Sequence, residues 1–95
     1  MKTLLFSFNV NQIDPTIMQN RLNDASEIQD WLLLTSGLVV MKTSESHDAI
    51  AQKIHLTFPG LQFIVSEITP SSCEGWMPRP LWDFLGQSQN LAISA

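Results

Sequence analysis

Three polar residues that follow the first apolar stretch, Asn9, Asn11 and Asp14, have side chains of the kind that could bind a metal ion. Oxygen atoms of this type are ligands for Mg²⁺ and Ca²⁺. A calcium loop of the EF-hand kind would also need a longer acidic series, a glycine and a distal glutamate, which this stretch lacks. We therefore interpret the cluster as turn and capping residues, with Asp14 as the N-cap of a helix that starts at Pro15.

Histidine, serine and cysteine side chains form no catalytic set in the sequence. His47 and His55 are eight residues apart on one predicted helix, about 80° out of phase, so they do not readily share a metal ion. Nothing in the sequence brings either histidine to a serine, as nucleophilic catalysis would require. The single cysteine, Cys73, excludes an internal disulfide and favours the reducing cytoplasm. We expect no metal ion and no cofactor.

Glu67 is notable because it interrupts the apolar run FIVSEI. A carboxylate in such a strand must face solvent or find a partner, such as Lys42 or a second subunit, because an unpaired buried charge is costly. We interpret Glu67 as a residue that faces solvent.

Charge and composition limit the classes of partner. The 95 residues have a net charge of −4, and the five basic residues are scattered. Trp76 and Trp82 could stack on bases, but Arg79 is the one basic residue near them, so nucleic-acid binding is not expected. No stretch approaches the roughly 20 apolar residues needed to cross a bilayer, so no membrane segment is expected either.

The elements that must position these residues follow one another as strand, helix, strand, strand, helix, strand and short helix. Alternation over residues 3–10 predicts the first strand, and the turn at residues 35–37 predicts a hairpin. A cap among residues 44–46 begins the second helix. The last strand covers residues 61–69, and a short aromatic helix runs from Pro80 to Gly86.

This order predicts an α+β fold, the ferredoxin-like βαββαβ sandwich, with a four-stranded antiparallel sheet in the order 4-1-3-2. Two helices cover one face, and the aromatic helix packs near an edge. One domain spans residues 1–95, with its core over residues 3–85 and a frayed tail over residues 86–95.

The face of the sheet that the two helices do not cover is left open, so we expect a homodimer in which two subunits pack there or pair through sheet edges. The interface residues expected on that open face are Leu5, Val39, Met41, Phe63 and Val65.

Short motifs also resemble a known family. They are FSFNV in the first strand, a hairpin containing Trp31 and Ser36, FIVSEI in the last strand, and GW followed by W-x-F-L. Over roughly residues 3–85 the chain resembles the bacterial SinR-like proteins, small ferredoxin-like domains related to the small CRISPR adaptation nucleases and to virulence-associated protein D. In those relatives a tyrosine-aspartate-aliphatic triplet ends the first strand and supplies the candidate metal ligand. Here the triplet is Phe8-Asn9-Val10.

Three functional hypotheses follow. Asn9 lacks the charge that attracts Mg²⁺, so we favour a small acidic, non-enzymatic protein-interaction domain, homodimeric and similar in role to an antitoxin or immunity protein. The alternative, implied by the resemblance, is a metal-dependent endonuclease of RNA or DNA in which Asn9 is a weakened ligand and Asp14 or Glu67 compensates. The third hypothesis is a degenerate domain retained for assembly with a larger complex.

Overall fold

A computed structural model describes residues 1–86, and its elements follow the order expected from the sequence. The strands are β1 (Lys2–Phe8), β2 (Ile28–Thr35), β3 (Leu38–Thr43) and β4 (Phe63–Ile68). The helices are α1 (Pro15–Asp24), α2 (His47–Thr57) and α3 (Arg79–Leu85), and a single 3₁₀ turn covers Pro70–Ser72. Apart from Gly86, the expected frayed tail lies outside the described residues.

Side-chain caps begin the two longer helices. Asp14 Oδ1 accepts a hydrogen bond from Thr16 N at 2.8 Å, and Pro15 is the first helical residue, as predicted. Ser46 Oγ accepts a hydrogen bond from Ala49 N at 3.2 Å. These contacts satisfy backbone amides of the first turn, which have no partner within the helix.

The four strands form one antiparallel sheet in the order β2-β3-β1-β4. Read from the other edge, this is the 4-1-3-2 order expected from the sequence. With α1 and α2 packed on one face of this sheet, the protein has a ferredoxin-like α+β fold. The central strands are β1 and β3, and the edge strands are β2 and β4.

The face covered by α1 and α2 buries the larger core. Leu4 and Phe6 of β1 are fully buried there, opposite Met41 and Val39 of β3. Removal of this apolar surface from water is the main favourable term in folding. The nine buried residues of this core are Leu4, Phe6, Phe8, Met18, Leu22, Val39, Met41, Ile50 and Ile54.

Four residues expected on the open face belong instead to this helix-covered core. Directly opposite residues of an antiparallel pair share a face of the sheet, and each of the four lies opposite a buried residue of β1. Because β3 is apolar on both faces, alternation alone did not show which of its residues point toward the helices. The four wrongly placed residues are Val39, Met41, Phe63 and Val65.

The second face of the sheet is not open, because α3 lies on it. Leu81, Trp82 and Leu85 of α3 form a buried cluster with Val40 of β3. Leu5 packs against this cluster. Leu5 therefore lies on the expected face, but under α3. The aromatic helix covers part of a face as well as approaching the edge strand β2.

Two further contacts hold α3 in place. Trp82 Nε1 donates a hydrogen bond to Met77 O at 3.1 Å, which satisfies the indole N–H of a buried ring. Lys42 Nζ lies 4.5 Å from the centre of the Phe84 ring, a cation–π contact. Gly86 then ends the helix in the left-handed conformation, with φ of 74°.

Trp82→Ala should destabilise the protein much more than Trp76→Ala. Trp82 is 1% exposed and Trp76 is 71% exposed. Loss of a buried tryptophan leaves a cavity and costs about 3 to 5 kcal/mol, whereas loss of an exposed side chain costs less than about 0.5 kcal/mol. Urea denaturation followed by circular dichroism measures both values. Equal losses would contradict the packing of α3 on the sheet.

Gly37→Ala should be more damaging than Gly60→Ala. Gly37 has φ of 80°, and an added Cβ would lie 2.7 Å from the carbonyl oxygen of Phe8 and 2.9 Å from Val10 Cγ1. Gly60 has a similar φ of 88°, but its surroundings are open. We expect a loss of about 1 kcal/mol at Gly60 from backbone strain alone and about 2 to 4 kcal/mol at Gly37. Similar unfolding free energies for both variants would show that Gly37 does not lie close to the carbonyl oxygen of Phe8.

Candidate protein-interaction surface

The Asn9 side chain joins two loops. Its Oδ1 accepts a hydrogen bond from Asn11 N at 3.0 Å, and its Nδ2 donates to Gln62 Oε1 at 3.1 Å. The backbone N–H of Asn9 also donates to Gln62 O at 3.0 Å. Asn9 thus forms a turn after β1, as interpreted from the sequence, and it also ties that turn to the residue before β4.

Gln12 strengthens the same junction. Its Nε2 donates to Gly60 O at 3.1 Å, and its Oε1 accepts from Gln62 N at 2.6 Å. A broad depression of about 560 Å³ lies beside it, lined mainly by apolar side chains. The Gln12 amide therefore ties the loop after β1 to the residues that precede β4.

A narrower cleft lies between α1 and α2. It encloses about 20 Å³, which is enough room for about one water molecule. Lys53 at its rim bonds to Glu45 Oε1 at 3.2 Å and lies 4.0 Å from Glu27 Oε1. The cleft is therefore a packing seam between helices with an ion pair at its mouth.

The three residues of the nuclease hypothesis do not come together. Glu67 is exposed, as the sequence indicated, and lies opposite Leu4. Asn9 follows Leu4 by five residues, which is about 16 Å at the rise per residue of a strand. Asp14 Oδ1 is engaged at the start of α1. Within residues 1–86, no three His, Cys, Asp or Glu side chains are grouped closely enough to hold a metal ion.

His47 and Cys73 make local contacts, and His55 is exposed on α2. His47 and His55 are both exposed, and His47 Nε2 lies 2.8 Å from Asp48 Oδ1 of the next residue. Cys73 is partly buried, with its Sγ 3.5 Å from Thr69 O. All three are therefore surface or loop residues.

Hydrogen bonding alternates along β1 between its two neighbours. Phe8 N donates to Gly37 O at 2.9 Å on the β3 side, and Asn9 N donates to Gln62 O at 3.0 Å on the β4 side. In antiparallel pairing, successive residues of a strand turn their backbone groups to alternate sides. Even-numbered residues of β1 therefore bond to β3, and odd-numbered residues bond to β4.

The same alternation determines which groups β4 leaves free. Phe63, Val65 and Glu67 lie opposite even-numbered residues of β1, so they direct their backbone N–H and C=O groups away from the sheet. In the part of the chain that the structure describes, one of these outward groups has a hydrogen-bond partner. The carbonyl oxygen of Glu67 accepts a hydrogen bond of 3.4 Å from Ser66 Oγ. Ile64 is 67% exposed on the same strand. We call residues Phe63 to Glu67, with the outward backbone groups of Phe63, Val65 and Glu67, the β4 edge.

The opposite edge of the sheet, β2, is protected from pairing. Its register with β3 shifts between Ile28 and Asp30 and again between Leu33 and Thr35. Trp31 N, which points outward by the same alternation, donates to Asp30 Oδ1 at 2.9 Å. Irregular pairing of this kind keeps a natural edge strand from joining another sheet. The register of β4 with β1 is uninterrupted, so the β4 edge has no such protection.

Comparison of the chain with family models, curated proteins and solved structures finds no match. The resemblance to SinR-like proteins therefore stays a prediction. None of the helices found over residues 1–86 has the length and apolar character needed to cross a membrane.

Edge pairing was expected from the sequence as one route to a dimer, but the sequence did not identify β4 as the edge. A signal was present in FIVSEI, which contains neither proline nor a basic residue, two of the features that commonly protect an edge. The free backbone groups of β4 could not be identified from the sequence, because they depend on the register between β1 and β4.

Asp14→Ala should lower the free energy of unfolding by about 1 kcal/mol through loss of the helix cap. Asp14→Ser should retain most of the stability, because a serine hydroxyl also accepts the bond from Thr16 N that Asp14 accepts here. Urea denaturation compares the two variants. An equal loss for serine and alanine would contradict the capping role of Asp14.

Proposed function

We propose that this protein is a small non-enzymatic protein-interaction domain that assembles as a homodimer through the β4 edge. The observation that carries the proposal is the free hydrogen-bonding side of this strand. Phe63, Val65 and Glu67 present backbone donors and acceptors there, and Ile64 adds exposed apolar surface. Addition of a strand to such an edge is a common mode of protein recognition, in which main-chain hydrogen bonds supply affinity.

The charge of the chain favours a protein partner over a nucleic acid. Its net charge of −4 repels phosphate groups and attracts basic surfaces. An antitoxin- or immunity-like protein, which inhibits another protein by binding to it, has this combination of small size, acidity and an accessible binding edge. Action in the cytoplasm is part of the same proposal, since the single cysteine suits a reducing compartment.

The three polar residues of the nuclease hypothesis have structural roles or lie apart, which supports binding rather than catalysis. The side chain of Asn9 is bonded to Asn11 and Gln62, and Asp14 caps α1. Glu67 lies at the far end of the sheet from both. A metal-dependent cleavage site would need these oxygens to converge on one ion.

Native mass spectrometry of the protein purified gently from its own host tests the proposal directly. We expect a homodimer, alone or with a stoichiometric second protein bound. A monomer without any bound protein, at concentrations well above those of the cell, would contradict it. Cleavage of RNA or DNA that requires Mg²⁺ and is lost in Glu67→Ala would also contradict it and would revive the nuclease hypothesis.

Ile64→Lys should weaken the homodimer, whereas Ile17→Lys should not. Ile64 is 67% exposed on the β4 edge, and Ile17 is 54% exposed on helix α1, which takes no part in the proposed strand pairing. Lysine on an edge strand opposes pairing because its charge would have to be desolvated. We expect the dissociation constant of the dimer to rise at least about tenfold for Ile64→Lys. Analytical ultracentrifugation measures it, and equal effects of the two lysines would exclude the β4 edge as the interface.

A further inference from the structure

The pattern of side chains along β4 fits a second copy of the same strand. We propose that two copies pair antiparallel along β4, with the two-fold axis of the dimer passing through Ile64. This inference rests on the proposed function and deepens it, because it specifies the register of the homodimer. The two four-stranded sheets would join into one continuous eight-stranded sheet.

Hydrogen bonding restricts the possible registers. In an antiparallel pair, residues with outward backbone groups must lie opposite residues of the same kind. On β4 these are Phe63, Val65 and Glu67. A symmetric pair that uses at least two of them on each strand has its axis at Ile64, at Val65 or at Ser66.

The axis at Ile64 matches apolar residues with apolar residues. It places Ile64 opposite the partner's Ile64, in a pair that is not directly hydrogen-bonded and whose side chains are close. Phe63 then lies opposite the partner's Val65, and the symmetric pair repeats this contact. The most exposed apolar residue of β4 is covered by its own copy in this register.

The other two registers bring the carboxylate of Glu67 opposite an apolar residue of the partner's β4, whereas the axis at Ile64 places it opposite the partner's Leu61, which precedes that strand. With the axis at Val65, Glu67 lies opposite the partner's Phe63, and with the axis at Ser66 it lies opposite the partner's Val65. The two Glu67 residues of the dimer are then about 13 Å or about 7 Å apart along the strands, compared with about 20 Å when the axis is at Ile64. Each subunit already has a net charge of −4, so the widest separation has the least repulsion.

The helices add contact area to this arrangement. Opposite residues of an antiparallel pair share a face, so the helix-covered faces of both subunits lie on the same side of the joined sheet. Helix α2 packs beside β4, and the two α2 helices therefore flank the seam. Their side chains supplement the narrow contact between the strands, as a stable interface requires.

Single-cysteine variants measure the register. Cys73→Ser provides a background without thiols, since Cys73 is the only cysteine. In that background, Ile64→Cys, Val65→Cys and Ser66→Cys each place one thiol at a possible axis, and Ile17→Cys reports random collision. Residues on the axis have Cα atoms about 4.5 to 5.5 Å apart, within the range that a disulfide spans.

We expect mild oxidation to convert Ile64→Cys to a covalent dimer at least about tenfold faster than Ile17→Cys, because pairing raises the local concentration of the two thiols. Val65→Cys and Ser66→Cys should crosslink no faster than the Ile17→Cys control, since their Cα atoms would be more than about 7 Å apart. Native mass spectrometry of each reduced variant establishes whether it forms the dimer.

The outcomes separate this inference from the proposed function. Fast crosslinking at position 65 or 66, or at none of the three positions in a protein that is dimeric, overturns the register and leaves the homodimer in place. A protein that is monomeric but holds a different protein overturns both the self-pairing of β4 and the proposed homodimer, while the proposed role in protein binding stands. A monomer with no bound protein overturns both.

Discussion

The alternation of hydrogen bonds along β1 is the constraint on which the other features of this protein depend. Even-numbered residues of β1 bond to β3, and odd-numbered residues bond to β4. Since β1 is central and paired on both sides, its register determines which residues of β3 and β4 share a face with Leu4 and Phe6. It also determines which backbone groups of β4 remain free. The contents of the core and the position of the binding edge are therefore consequences of one pairing pattern.

Much of the fold could be predicted from local signals. Asp14 with Pro15 marks the start of α1, and the Ser36-Gly37 turn marks the β2–β3 hairpin, because caps and tight turns need particular residue types. The strand order also followed from the order of the elements. These features depend on short stretches of chain, so one sequence contains the information they require.

The facing of the strands could not be predicted in the same way. β3 reads LVVMKT, with apolar residues on both faces, and only its pairing with β1 shows that Val39 and Met41 point toward α1 and α2. The covering of the second face depends on α3, which is distant in sequence from the strands it contacts. The candidate site was missed for a related reason, because an edge is a property of the whole sheet.

The position of α3 near the end of the described residues has a consequence for synthesis of the protein. Val40 lies on the face that α3 covers, and Leu85 follows it by forty-five positions. At typical rates of translation this interval lasts roughly 2 to 9 s. The same delay separates the emergence of Val40 from the ribosome and the emergence of α3, and in that interval chaperones and neighbouring nascent chains have access to an uncovered apolar patch.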